Sequence, residues 1–313
     1  MAVRRTALTT AFAALLLLSA CGGGDGGGSG SSGTPGVSDD LPATGAIVDA
    51  VTKDDALAAS LPPEVTSAGK LKVGSNVQSP PNNFYAADGK TPVGSEVDLI
   101  KAVGKRLGVE VAHEDMAFGS LITSLQAGRV DLTMAAMNDT EARQEQISFV
   151  DYFTSGITIM VQKGNPTGIK GPDDLCGKAV AVALGTSQEA FAKEQSGKCT
   201  GAGKEAVTVT ATDSDTQNQN QLRTGRVAAI VNDLPTAVYV SKTAGKGEYF
   251  EAVDYAPING GPYGIGVRKD AGQLATALQG AVQSLIDDGT YGKIMDAWGV
   301  AQGSVTKATI NGE

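Results

Sequence analysis

The stretch VDLTMAAMNDTEAR, residues 130–143, joins an apolar run to the start of a helix. Residues 130–137 read as a buried strand, and Asp139, Thr140 and Glu141 are what a first helical turn favours. Arg143 is out of place there, because the peptide dipoles gather their positive end at a helix N-terminus and repel a cation. A strand running into a helix is the joint of an open α/β sheet, and such sheets bind ligands beyond the carboxyl ends of their strands. Arg143 and the free N–H groups of the helix would then converge on an anion, a carboxylate above all. The plainer reading is a solvated arginine paired with Asp139 four residues earlier, worth roughly 0.2–0.5 kcal/mol. The window alone leaves both open.

Outward from this joint the same alternation continues. Towards the N-terminus lie a short helix near residues 54–60, closed by Pro62-Pro63, and the strand Leu71-Lys-Val-Gly74. A helix and strand marked by Val97, Ile100, Val103, Val109 and Val111 follow, then a helix with Leu121, Ile122 and Leu125 and a stop at Gly128. After Gly164-Asn-Pro166 a second series begins. Strand 179–184 enters Gly185-Thr-Ser-Gln-Glu189, where Thr186 and Glu189 have capping-box spacing. Strand 227–231 enters Asn232-Asp233 and a helix with Pro235 in its first turn. Leu125-Gln-Ala-Gly-Arg-Val130 and Leu222-Arg-Thr-Gly-Arg-Val227 echo each other, each before a strand that ends in Asn-Asp. From Tyr263 the chain reads as strand 264–268 and two helices ending at Trp298. Strand–helix alternation of this kind predicts an α/β fold of parallel sheets covered by helices.

The 313 residues exceed one typical domain and point to two. A net charge of −9 excludes non-specific nucleic-acid binding as a leading function. One histidine in the whole chain leaves little for histidine-based acid–base or zinc chemistry. No phosphate loop, zinc-protease motif or nucleophile elbow occurs, so nothing announces catalysis, a metal or a cofactor.

The N-terminus reads as a targeting segment. Arg4 and Arg5 precede an apolar stretch too short to span a bilayer, which closes on Leu18-Ser-Ala-Cys21. That ending resembles a bacterial lipobox, in which residues 1–20 are cleaved and Cys21 receives the lipid. Residues 21–46 follow as a Gly/Ser tether, whose coil from 22 to 42 reaches roughly 25 Å. Export makes a disulfide the first reading of Cys176 and Cys199, with two free buried thiols as the alternative.

Three strand-end positions, Arg143, Thr186-Ser187 and Asp233, would together suit a zwitterion, with its carboxylate on Arg143 and its ammonium on Asp233. Singly, each has a structural reading: Thr186 and Asp233 as helix caps, Arg143 as a surface cation. Phe118, at a loop edge before Gly119-Ser120, reads as core or as a stacking wall. His113 reads as an exposed strand-end residue. Asp213-Ser-Asp215-Thr-Gln217 approaches a calcium loop but lacks its glycine and terminal glutamate, and is set aside.

From about Gly69 to Val300 the chain resembles the amino-acid-binding branch of extracellular solute-binding proteins, family 3, which serve ABC importers. The markers include Gly94-Ser-Glu-Val-Asp-Leu99, Asp139-Thr-Glu-Ala-Arg143, Phe149-Val-Asp-Tyr-Phe153, Gly185-Thr-Ser-Gln-Glu189, Asn232-Asp-Leu-Pro235 and Asp288-Gly-Thr-Tyr-Gly-Lys-Ile294 with Trp298-Gly299. With the lipobox, tether and cysteine pair, it is similar to actinobacterial lipoprotein members. The resemblance implies a two-lobed fold of the periplasmic-binding-protein type II, with two hinge strands and ligand in the cleft. Lobe 1 would take residues 70–154 and 263–300, lobe 2 residues 159–257. By position, Arg143 matches the family's carboxylate-binding arginine and Asp233 its ammonium-binding acid. Ala136 matches a carbonyl for the ammonium, Asn138, Thr186 and Ser187 match carboxylate contacts, and Phe118 matches a wall. Ser79 and Asn82 stand where aromatics are frequent. Asn76 replaces a common aspartate, which favours a neutral polar or acidic L-amino acid over a cationic one. The implied role is a monomeric, lipid-anchored, non-enzymatic binding protein outside the cell that feeds ABC permease subunits. The rivals are a sensing lipoprotein and a dehydratase-type enzyme on the same fold.

Overall fold

The structure, a computed structural model, describes residues 41–312. The expected signal segment 1–20, the lipidation site Cys21 and the tether up to residue 40 lie outside the described residues. Folding begins earlier than 47: Thr44 is buried and α1 (Gly45–Asp49) starts inside the stretch read as tether. The cause is apolar, because Leu41, Ile47 and Val48 pack on the lobe 1 core. Next come α2 (Asp55–Ala59), capped by the Asp54 carboxylate, and α3 (Pro63–Ala68), with proline in its first turn.

Lobe 1 is built on β1 (Lys70–Ser75), whose Leu71 and Val73 are fully buried. A small antiparallel sheet of β2 (Gln78–Ser79), β3 (Asn83–Tyr85) and β4 (Pro92–Val93) leads to α4 (Ser95–Leu107). Val97, Ile100, Val103 and Leu107 give α4 one buried face, while Glu96 and Asp98 at its start and Lys105 and Arg106 at its end suit its dipole. Then follow β5 (Glu110–Asp115), α5 (Leu121–Gln126), the two-residue β6 (Leu132–Thr133) and the single turn α6 (Glu141–Gln144).

The sixteen-residue β7 (Ile147–Gln162) carries the chain into lobe 2. There β8 (Ala179–Ala183), α7 (Ser187–Gly201), β9 (Thr208–Thr212), α8 (Asp215–Arg223), β10 (Ala229–Asp233), α9 (Leu234–Thr243) and β11 (Phe250–Ala252) follow. The return strand β12 (Ile258–Arg268) re-enters lobe 1, which ends with α10 (Gly272–Asp287), α11 (Thr290–Ala297) and β13 (Ser304–Ile310). β13 pairs with β7 and was not expected from the sequence.

The strand order is β5-β1-β6-β12-β7-β10-β8-β9. The first half of β7 pairs with β12 and β13, the second half with β10 and β11, so one strand belongs to both lobes. β12 crosses beside it with register breaks between Ile258 and Gly261 and between Tyr263 and Gly264. Gly156 sits at this crossing, where an added Cβ would come within 2.8 Å of Pro257. The result is a two-lobed α/β fold with separate apolar cores on either side of the two crossing strands. Cys176 and Cys199 form a disulfide with Cα atoms 5.5 Å apart, fastening α7 to the turn before β8.

Candidate functional site

The carboxyl ends of β8, β9 and β10 converge on one cleft, and each runs within a few residues into a helix. The lobe 1 wall opposite comes from the segment after β6 and from the loop between β1 and β3. Together they line a cavity of about 50 Å³ that includes Asn76, Ser79, Phe118, Ala136, Asn138, Thr186, Ser187 and Asp233. Asn82 is buried away from this cavity and plays no part in its wall.

Arg143 is not among the residues that line the cavity, but it touches two that are, Asn138 and Phe118. Its Nη1 donates to Asn138 O at 2.9 Å and its Nη2 to Gly185 O at 3.4 Å, so one guanidinium bridges the lobes. Its Cζ lies 5.3 Å from the centre of the Phe118 ring, a cation–π distance that gives Phe118 a role as a shelf. No ion pair within 4 Å joins Arg143 to Asp139 among the described residues, so the surface-pair reading fails. The dipole conflict is also smaller than the sequence suggested. α6 is one turn long, and Thr140 caps it by accepting from Arg143 N at 3.4 Å. Burial pulls the guanidinium pKa down, while the Asp233 and Asp139 carboxylates oppose that shift.

Asp233 separates its structural and functional readings. It occupies the cap position of α9, yet its carboxylate accepts no capping hydrogen bond. The side chain is buried, lines the cavity, and its Oδ1 has no hydrogen-bond partner. Burial pushes its pKa up to about 7, and the nearby Glu96 adds to the rise, with Tyr263, Arg143 and Gln188 lowering it. A buried carboxylate left unpaired is costly. An ammonium group would relieve that cost.

Thr186 does what a cap does: its hydroxyl accepts from Glu189 N at 3.2 Å and donates to Ala183 O at 2.6 Å. Glu189 reaches Gly185 N instead of the cap residue's own N–H, at 2.7 Å, so the capping box is displaced by one residue. Ser187 Oγ donates to Asn138 Oδ1 at 2.7 Å and so joins the lobes a second time.

Ala136 explains why the expected strand 130–137 shrinks to Leu132–Thr133. Its φ of 47° is a left-handed conformation that alanine rarely adopts, and it turns the chain out of the sheet. The turn is held from inside: Ala136 N donates to Glu96 Oε1 at 2.8 Å, and Tyr152 and Asn83 also donate to that buried carboxylate. Asn76 Nδ2 donates to Met116 O at 3.1 Å.

Several cavity residues were not singled out from the sequence. Gln78 of lobe 1 donates to Asp213 O at 3.0 Å and accepts from Asp215 N at 3.2 Å. Asp213 and Asp215, set aside as a failed calcium loop, line the cavity with Asn218 and Asn232. The strand-end rule would have found them, since they follow β9 as Thr186 follows β8. His113 is half-buried, not exposed, and burial pushes its pKa down to about 4. Among the described residues no three His, Cys, Asp or Glu side chains gather as metal ligands.

A cleft between two α/β lobes on two crossing strands, rimmed by Arg143 and Asp233, has known counterparts. The model of bacterial extracellular solute-binding proteins, family 3, matches residues 71–301. The chain belongs to that family. It is 29% identical to the arginine-binding protein ArgT of Corynebacterium glutamicum, over 81% of this chain and 82% of that one. An ancestral arginine-binding protein bound to arginine is 36% identical with a TM-score of 0.67, covering 74% of this chain and 98% of its own. An ancestral arginine-binding protein bound to glutamine matches at 36% identity and a TM-score of 0.66 over the same shares. These relatives are named as binding proteins, not enzymes. Among the described residues no helix is long and apolar enough to cross a membrane.

Proposed function

We propose that this chain captures a free L-amino acid between its lobes outside the cell and delivers it to the permease of an ABC importer. The observation that carries this reading is Asp233, whose Oδ1 has no partner in the cavity, together with the Arg143 guanidinium held against the cavity residues Asn138 and Phe118. The ammonium would sit on Asp233 and the Ala136 carbonyl. The carboxylate would take Arg143 N–H groups left over from the two carbonyl contacts, with Asn138, Thr186 and Ser187 beside them. A ligand touching both lobes favours the arrangement in which they meet. No bond is made or broken.

The preferred side chain is neutral polar or acidic, because Asn76 puts an amide where a carboxylate would attract a cation. A similar protein has been seen with arginine and with glutamine, so the backbone type is compatible with either charge. The chain would be held at the outer membrane face by lipid on Cys21 as a monomer, with residues 70–154 and 263–300 moving against 159–257. Calorimetry of the purified chain with the twenty L-amino acids tests the reading. Micromolar binding of at least one is expected, and no heat from any at millimolar concentration overturns it. Intact mass after expression in a lipidating host tests Cys21 separately.

A further inference from the structure

The zwitterion groups use only part of the cavity wall. The rest is a second polar cluster, made of Asn76 and Gln78 from lobe 1 and Asp215, Asn218 and Asn232 from lobe 2. A hydrogen-bond account of each side chain shows what is left for a ligand. Both ends of the Gln78 amide are committed to the Asp213–Asp215 backbone. Asn232 is committed as well, its Oδ1 accepting from Asp233 N at 2.8 Å and its Nδ2 donating to Asp215 Oδ1 at 3.4 Å. Asn76 has spent one N–H on Met116 O, which leaves its second N–H as a donor and its Oδ1 as an acceptor.

Asp215 is the charged member of the cluster, and it is under-satisfied. Its carboxylate accepts from Gln219 Nε2 at 2.6 Å and, weakly, from Asn232, two donors against about four acceptor positions. It is not needed to cap α8, because Ser214 does that by accepting from Gln217 N at 3.2 Å. Burial pushes its pKa up to about 6, so it is ionised at neutral pH but poorly compensated. Asn218, 1% exposed, lines the same space and its Nδ2 has no partner. The cavity wall includes no lysine, arginine or histidine. Its uncommitted capacity is therefore mixed, donor at Asn218 and Asn76 and acceptor at Asp215 and Asn76, and its charge is anionic.

We infer that this cluster reads the ligand's side chain, with Asp215 as the accepting group, and selects amino acids whose side chain ends in N–H donors, a carboxamide or a guanidinium. The inference rests on the amino-acid reading above but revises its side-chain preference: Asp215 excludes the acidic class and, by supplying the carboxylate that Asn76 lacks, admits a guanidinium. A glutamate or aspartate side chain would meet Asp215 with like charge and find no cation in the wall to offset it. An aliphatic one would leave the Asp215 acceptors unpaired, and such polar mismatches are where binding sites discriminate most.

The experiment is calorimetry of the wild-type chain and Asp215→Asn with glutamine, asparagine, arginine, glutamate and leucine. In the wild type an N–H-terminated ligand should lead glutamate and leucine by at least tenfold. Asp215→Asn should keep its melting temperature, lose at least tenfold affinity for the leading ligand, and bind glutamate more tightly than the wild type does. That reversal is what a merely structural aspartate would not produce. A larger loss for arginine than for glutamine identifies the guanidinium arm, and the opposite identifies the carboxamide. If glutamate, aspartate or leucine binds best, or if Asp215→Asn leaves the order of ligands unchanged, the inference is wrong while the amino-acid reading stands. If no amino acid binds, the amino-acid reading itself has failed.

Discussion

The two walls of the cleft reach the same cavity by different means. Lobe 2 repeats one device three times: polar residues stand at or just past the carboxyl end of a strand, and a helix begins there. β8 with Thr186-Ser187, β9 with Asp213–Asp215 and β10 with Asn232-Asp233 are all built this way. Lobe 1 has no such regularity. Its wall is irregular backbone, bent at Ala136 with φ 47° and pinned by a buried glutamate, and its arginine rises from a single helical turn. The repeated wall holds polar groups in place by regular hydrogen bonding. The irregular wall holds them by strain and a buried charge.

The largest effect expected falls on the irregular wall. Arg143→Ala should raise Kd by the equivalent of roughly 2–5 kcal/mol, because it strips a buried carboxylate of its charged partner. It also removes the Gly185 contact between lobes. Calorimetry should show binding near or below detection, with the unliganded melting temperature within about 3 °C of wild type. Retained affinity would move the carboxylate to the Thr186–Ser187 end of α7 and make the regular wall sufficient alone.

The next effect belongs to Asp233 and depends on pH. In the free cleft its pKa lies near 7, with Glu96, Tyr263, Arg143 and Gln188 as its charged and polar neighbours. An ammonium requires the ionised form, so below about pH 7 binding must first expel a proton. Affinity should then fall by up to tenfold per pH unit towards pH 5.5, steepening near pH 6 if Asp215 also faces the ligand. Titrations in two buffers of different ionisation heat should read proton release near pH 6.5. Asp233→Asn should weaken binding by about 10- to 100-fold and flatten the pH profile. The stability of the unliganded chain should move the other way. Asp233, Asp151 and Asp215 all have raised pKa values, so the folded state binds more protons than the unfolded one between about pH 4 and 7. Their contribution is present at pH 4 and lost as pH rises through 7. His113, held neutral, opposes this below pH 6.5 as a single group. The unliganded melting temperature should be lower at pH 8 than at pH 5.5.

The contrast between the walls also explains what the sequence made legible. Strand–helix alternation, the cap at Thr186, and the position of Asp233 all follow from local rules that hold in lobe 2 and in most of lobe 1. Those rules fail where a tertiary contact overrides propensity. Residues 130–137 look like one strand because six are apolar, but the Glu96 carboxylate captures Ala136 N from 40 residues away and ends it early. β13 was missed because a strand that adds to the edge of β7 has no turn signal of its own. Asp213 and Asp215 were judged against a metal loop when their meaning lay in where β9 ends.

The smallest effect tests whether the walls need each other directly. Gln78 is the one side chain whose amide makes both of its hydrogen bonds across the cleft, to Asp213 O and from Asp215 N. Both backbone groups can turn to water when the lobes part, so truncating Gln78 leaves no buried group stranded. Two ordinary hydrogen bonds exchanged for solvent suggest a net change of about 1 kcal/mol. Gln78→Ala should therefore weaken binding by about fivefold, through faster release and not slower capture, as stopped-flow fluorescence would resolve. The order of preferred ligands should not change, because both ends of the Gln78 amide are held by the lobe 2 backbone. A changed order would mean that Gln78 leaves the Asp215 backbone to contact the ligand itself, and the two walls would then share the reading of the side chain.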